Sequence, residues 1–153
     1  MAELNYAGLV TAIVEQLRND GTLNALDVGP VYVSPEPEPP TTDQCPAVIV
    51  LPRRVRRNPE RIVANIFAGN PDKLEVNITL WCWAFSAQGS ADAARQRDEL
   101  VAAVVDAIRI ERTIGGKVDW CDVSDIEFQW QPGNQSGSFF AVAAVTVIAH
   151  AYA

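Results

Sequence analysis

At 153 residues, with 48% hydrophobic and 20% charged side chains, the chain has the size and composition of one globular domain, 1–153, burying roughly 70% of its unfolded surface. That excludes fibrous and disordered classes, and the longest apolar run, Phe139 to Ala149, has eleven residues, short of the roughly 18 that a membrane-spanning helix needs. The formal charge of −7 argues against a broad basic nucleic-acid face, but it is segregated: Arg53 to Arg61 holds five arginines and one glutamate, a charge of +4, so the remainder carries −11.

MAELNYAGLV lacks a basic leader and a sustained apolar core, so synthesis inside the cell is expected, and the sequons at Asn77 and Asn134 are read as accidental. Tyr6, Val10, Ile13, Val14 and Leu17 recur at helical spacing, and Asn19-Asp20-Gly21 ends that helix. A short strand is expected at Val31 to Val33. The following segment, 34–44, contains SPEPEPPTTD, whose four prolines suit an exposed, extended loop rather than a central strand. A proline-rich ligand for an adaptor domain is the sharper alternative there, and a linker the plainer one.

CPAVIVL, Cys45 to Leu51, reads as a strand, and an arginine-rich loop is expected at 52–61. Ile62 to Phe67 is a further strand candidate, and Gly69 to Asp72 a turn into Lys73 to Ser86, the strongest strand signal in the chain. Along it Leu74, Val76, Ile78, Leu80 and Cys82 share one face. Glu75, Asn77, Thr79, Trp81, Trp83 and Phe85 share the other, whose aromatic end must be covered by a helix or by another subunit.

Ser90 is a plausible helix N-cap, with Asp92 in the first turn; Ala93, Ala94, Leu100, Val101, Val104, Val105 and Ile108 then line one side of a helix to about Arg109. Ile114 to Lys117 turns into a strand at Val118 to Trp120, a second strand carries Ile126, Phe128 and Trp130, and Pro132 to Gly137 makes a hairpin turn. The last strand, Phe139 to Ala151, is apolar on both faces, as a central strand is. This order predicts an α+β fold: a mostly antiparallel sheet with an N-terminal helix and one long helix packed on one face.

Catalytic constellations are sparse. His150 is the single histidine and has no nearby nucleophile in sequence. Cys45, Cys82 and Cys121 are odd in number and widely spaced, which favours reduced thiols, and a zinc site from Cys82, Cys121 and His150 lacks any close ligand pair. Gly115-Gly116-Lys117 lacks the upstream glycine of a phosphate loop, position 111 being Glu, and reads as a helix-ending turn. Asp119, Asp122 and Asp125 lack the glycine and terminal glutamate of a calcium loop and read as a solvated rim. No enzymatic activity, cofactor or metal is expected.

The whole order is more telling than any motif. A helix ending Gln16-Leu17-Arg18, the CPAVIV strand after a proline-rich loop, a long strand, the alanine-rich helix from Ala91, and IGGKVDW ahead of FFAVAAVTVIAHA together resemble the tail terminator (tail completion) proteins of long-tailed bacteriophages. The resemblance covers nearly the whole chain and rests on order, length and local texture. It implies a homo-oligomer, a hexameric ring at the head-proximal end of the tail, in the neck of the virion. That ring ends polymerisation of the tail tube protein and docks the head-tail connector protein, phage DNA passes through its lumen, and no membrane is involved. A head-tail connector or stopper ring is the near alternative; a nucleic-acid-binding or small-ligand-binding module is the distant one.

Two residue sets are expected at a subunit or partner interface: Trp81, Trp83 and Phe85, and the arginines Arg53, Arg54, Arg56, Arg57 and Arg61. For the arginines three readings stand: a solvated charge run, a clamp onto carboxylates of a neighbouring copy, the tube or the connector, and contact with DNA in the lumen. The clamp is preferred, because the acidic remainder supplies partners and no stacking aromatics accompany the run.

Overall fold

A computed structural model describes residues 3–34, 39–57, 73–130 and 139–152. Helix α1, Tyr6–Arg18, starts where the Asn5 side chain accepts the Gly8 backbone N–H at 3.0 Å, and it buries Leu9, Val10, Ile13, Val14 and Leu17 as one stripe. Asp20 caps the short α2, Gly21–Ala25, by accepting from the Leu23 N–H. The long helix α3, Ser90–Ile110, buries Ala93, Leu100, Val101, Ala103, Val104, Ala107 and Ile108. Its cap differs from expectation: Gly89 holds the cap position at φ 144°, a conformation glycine tolerates, and Ser90 is already the first helical residue.

The strands are β1, Val31–Val33; β2, Ala47–Arg57; β3, Lys73–Ser86; β4, Trp120–Trp130; and β5, Phe139–Tyr152. They form one sheet in the order β1-β2-β3-β5-β4, in which only the β1–β2 pair is parallel. The expected α+β architecture is therefore present. β5 sits between β3 and β4, which explains its apolar run on both faces.

Both larger helices cover the same side of the sheet. Their buried stripes join Val48, Val50, Val76, Ile78, Leu80, Val145 and Val147 in the main core. Two polar ties fix the helices: Gln16 Nε2 donates to the Ala107 carbonyl at 2.8 Å, and the Arg18 guanidinium donates twice to the Val31 carbonyl, at 2.7 and 3.1 Å. The first closes an otherwise orphaned carbonyl near the end of α3.

Two expectations are corrected. The arginine run is not a loop as far as Arg57: β2 continues through it, paired to β3, while 58–61, with Arg61, lie outside the described residues. The two strands expected around 118–130 are one strand, β4, interrupted by a bulge between Val123 and Asp125. In the 34–44 segment Pro39 and 41–44 are exposed, Ser34 and Pro40 are buried, and Thr42–Gln44 forms a 3-10 turn with Gln44 Oε1 accepting the Thr41 N–H, while 35–38 lie outside the described residues. The strand expected at 62–67 and the turns at 69–72 and 132–137 lie outside the described residues.

Candidate functional site

The side of the sheet away from the helices is the candidate interaction face. Register places its rows: Ala47, Trp83, Val142 and Gln129 at one end, then Ile49, Trp81, Ala144 and Glu127. Further along, Arg54 stands beside Asn77 and Ile148, and Arg56 beside Glu75 and His150. The apolar end packs as a second small core of Ala47, Ile49, Trp83 and Val142, flanked by Tyr32, Cys45, Trp81 and Phe140. Phe140 meets the Trp83 ring edge-on at 6.0 Å and lies 5.4 Å from Phe85.

Beyond that core the face opens into a depression of about 610 Å³. Arg53 and Arg54 form one wall, Glu127 and Gln129 the opposite one, and Asn77, Thr79, Trp81 and Thr146 contribute to its lining. The arginines reach this position because β2 carries a bulge between Pro52 and Arg54; Arg53 is the extra residue, after which Arg54 and Arg56 face away from the helices and Val55 pairs with Val76 on the helix side. Arg57 pairs with Leu74 in register.

Trp83 is 5% exposed, so its ring is already enclosed within one chain, whereas Trp81 and Phe85 remain half-buried. The indole N–H groups of Trp81 and Trp83 are both shut off from solvent without a hydrogen-bond partner among the described residues. Each such buried donor costs about 1–3 kcal/mol, which an acceptor carbonyl or carboxylate reaching it would recover.

The residues weighed for catalysis do not converge. Cys82 and Cys121 are buried on the helix side, where desolvation pushes their thiols up to about 12 and about 11 and keeps them protonated. His150 follows Ala149, the partner of Cys121, so alternation turns it to the opposite face, where its ring stacks on Trp120 at 6.1 Å. Asp122 is taken by Arg109 at 3.0 Å and Arg112 at 3.5 Å; the Arg109 hydrogen bond, with the Val123 N–H, holds its carboxyl below the usual range. The Gly115 N–H donates to Glu111 Oε1 at 3.2 Å, so the glycine turn after α3 spends that donor on the chain itself. Among the described residues no three His, Cys, Asp or Glu are grouped to hold a metal ion, and no helix is long and apolar enough to cross a membrane.

Sequence reasoning singled out the arginines and the tryptophans but missed the opposite wall. Asp125, Glu127 and Gln129 alternate with Ile126 and Phe128, a period-two pattern that places the polar set on the helix-free face.

No family model and no curated protein matches the sequence. Among solved structures the chain is similar to a chain of the virion of a native gene transfer agent (GTA) particle, with a TM-score of 0.62 and 17% identity over 94% of each chain. At that identity the likeness is one of fold, and it extends over nearly the whole of both molecules.

Proposed function

We propose that this chain is a structural virion component: a tail terminator that assembles as a hexameric ring at the head-proximal end of a phage tail, ends tube polymerisation and joins the tail to the head connector. The supporting observation is the agreement of two whole-chain likenesses. The order and texture of its segments resemble tail terminators, and its fold is similar over 94% of both chains to a component of a virion particle. A structural rather than catalytic role agrees with buried, protonated thiols and a histidine directed away from them.

In this reading the helix-free face, with its charged walls and half-buried Trp81 and Phe85, meets neighbouring subunits or the tube. The protein acts by geometry: a ring bound to the last tube subunits occupies the surface on which the next tube ring would grow. Negative-stain imaging of the purified protein, alone and mixed with tail tubes, tests the proposal. Rings of sixfold symmetry and a cap at one tube end are the expected result. Rings that bind a head connector but ignore tubes would make it a connector or stopper, and a monomer indifferent to tubes at every concentration would overturn the proposal.

A further inference from the structure

Unpaired charge is distributed unevenly between the two ends of the sheet. Arg95, Arg97 and Arg109 on α3 each hold a carboxylate at 2.8–3.0 Å. On β2, by contrast, Arg56 reaches Glu75 only at 3.7 Å, and Arg53 and Arg54 make no ion pair or hydrogen bond among the described residues. On β4, Asp125 and Glu127 are likewise exposed and without a partner among the described residues. These cations and anions do not meet within one chain: β3 and β5 lie between them, three strand spacings or about 14 Å.

Among the described residues both sets lie at open edges. β1 covers β2 only as far as Val50, where Ser34 donates to the Val50 carbonyl, so from Leu51 onward the outer edge of β2 has no neighbouring strand among the described residues. Among the described residues β4 is the last strand at the other end. Each edge also exposes one apolar side chain toward the helix side: Val55, 42% exposed and paired with Val76, and Phe128, 53% exposed and paired with Ala143, with the Arg97 guanidinium over one face of its ring at 4.8 Å. One edge is therefore basic with an exposed valine, and the other acidic with an exposed phenylalanine on the same face, Val55 standing level with Val76 of β3 and Phe128 level with Cys82.

Resting on the ring reading above, we infer that the arginine half of β2 in one copy seats against Asp125 and Glu127 of β4 in the next copy, edge to edge. Arg53, Arg54 and Arg56 meet the carboxylates on the helix-free side, and Val55 meets Phe128 on the helix side. The contact is heterologous, so each copy uses both edges and the arrangement closes into a ring when the rotation per copy permits. Strand directions agree, since β4 runs antiparallel to β2 within the sheet and stays so across a boundary where the next copy is displaced along the strands by about 20 Å, which brings Val55 level with Phe128 and Arg56 level with Glu127. Both edges carry a bulge, which interrupts a backbone ladder, so side chains rather than continued strand pairing hold the contact. Arginine suits it, because its planar fork pairs with carboxylates in a fixed geometry.

A charge swap in the full chain tests the inference. R53E/R54E/R56E makes both edges acidic, and D125K/E127K makes both basic. Each variant alone raises the concentration for half-assembly by about tenfold or more, read by mass photometry, while the equimolar mixture, in which acidic and basic copies alternate, regains assembly. All five positions are exposed, and circular dichroism of the separate variants checks that they fold. The inference is overturned if either variant assembles like the natural protein, or if two folded variants fail to rescue one another. Rings that persist in R53E/R54E/R56E while DNA retention is lost would assign the arginines to DNA and overturn it as well. Those outcomes leave the ring reading standing, whereas a natural protein that never self-associates and never caps tubes removes both.

Discussion

Asp92 shows how one carboxylate can join a strand end to a helix start. Its Oδ2 accepts the Ser86 hydroxyl at 2.6 Å and Gln96 Nε2 at 2.9 Å, and its Oδ1 takes Arg95 at 2.8 Å; Asp92 itself lies in the first turn of α3, where a negative charge also complements the helix dipole. The Ser86 hydrogen bond first, then Arg95, hold its carboxyl below the ordinary value of 3.8. A carboxyl lowered in the folded state contributes stability that is complete above its unfolded value and is lost as pH falls through the folded one. Asp92→Asn is therefore expected to lower the melting temperature at pH 7, with the gap from the natural protein closing as pH drops through 3.8 and below. Calorimetry across that range reads it; a gap independent of pH would mean that Asp92 acts through shape alone.

At the scale of elements, packing decides which changes matter. Leu100 in α3 is 1% exposed, while Ile110 at the end of the same helix is 77% exposed. Leu100→Ala should cost about 2–5 kcal/mol in urea unfolding, and Ile110→Ala should stay within about 0.5 kcal/mol. Comparable losses at both positions would mean that the end of α3 is buried in solution, by a second copy among other means. The same logic explains which elements were legible in the sequence. β3 is readable to the residue because its fourteen positions pair with β5 in one unbroken register with no bulge. β2 and β4 are less legible because each inserts one residue, Arg53 or Ser124, that shifts the alternation midway. Across the insertion Val55 still points to the helix side, but a fixed period-two template loses it, and a charge run after Pro52 then looks like a loop; Ile126 keeps its alternation with Phe128 but reads as part of a separate strand. The aromatic half of the face was legible from Trp81, Trp83 and Phe85. Its enclosure around Trp83 was not, because that depends on Phe140 and Val142, brought beside it by a pairing that no local pattern specifies.

For the whole molecule, two electrostatic effects of opposite sign act on association. Each copy carries −7, so acidic bodies repel over distances set by the Debye length, roughly 30 Å at 0.01 M salt and 8 Å at 0.15 M. The edge contact is attractive but short-ranged, and exposed pairs of this kind weaken with salt, the Debye length falling to about 3 Å at 1 M. Moderate salt should therefore relieve the repulsion before it erodes the contact, and self-association should pass through a maximum at intermediate ionic strength. Sedimentation velocity over a series from about 0.01 to 1 M sodium chloride reads the curve. Association that only rises toward 1 M would make buried apolar surface such as Val55 and Phe128 the dominant attraction and leave the arginines little to contribute. Association strongest at the lowest salt and falling throughout would mean that the arginine–carboxylate contacts outweigh the net charge from the start. A maximum that disappears in R53E/R54E/R56E, leaving only the rise, would assign the high-salt decline to those three side chains.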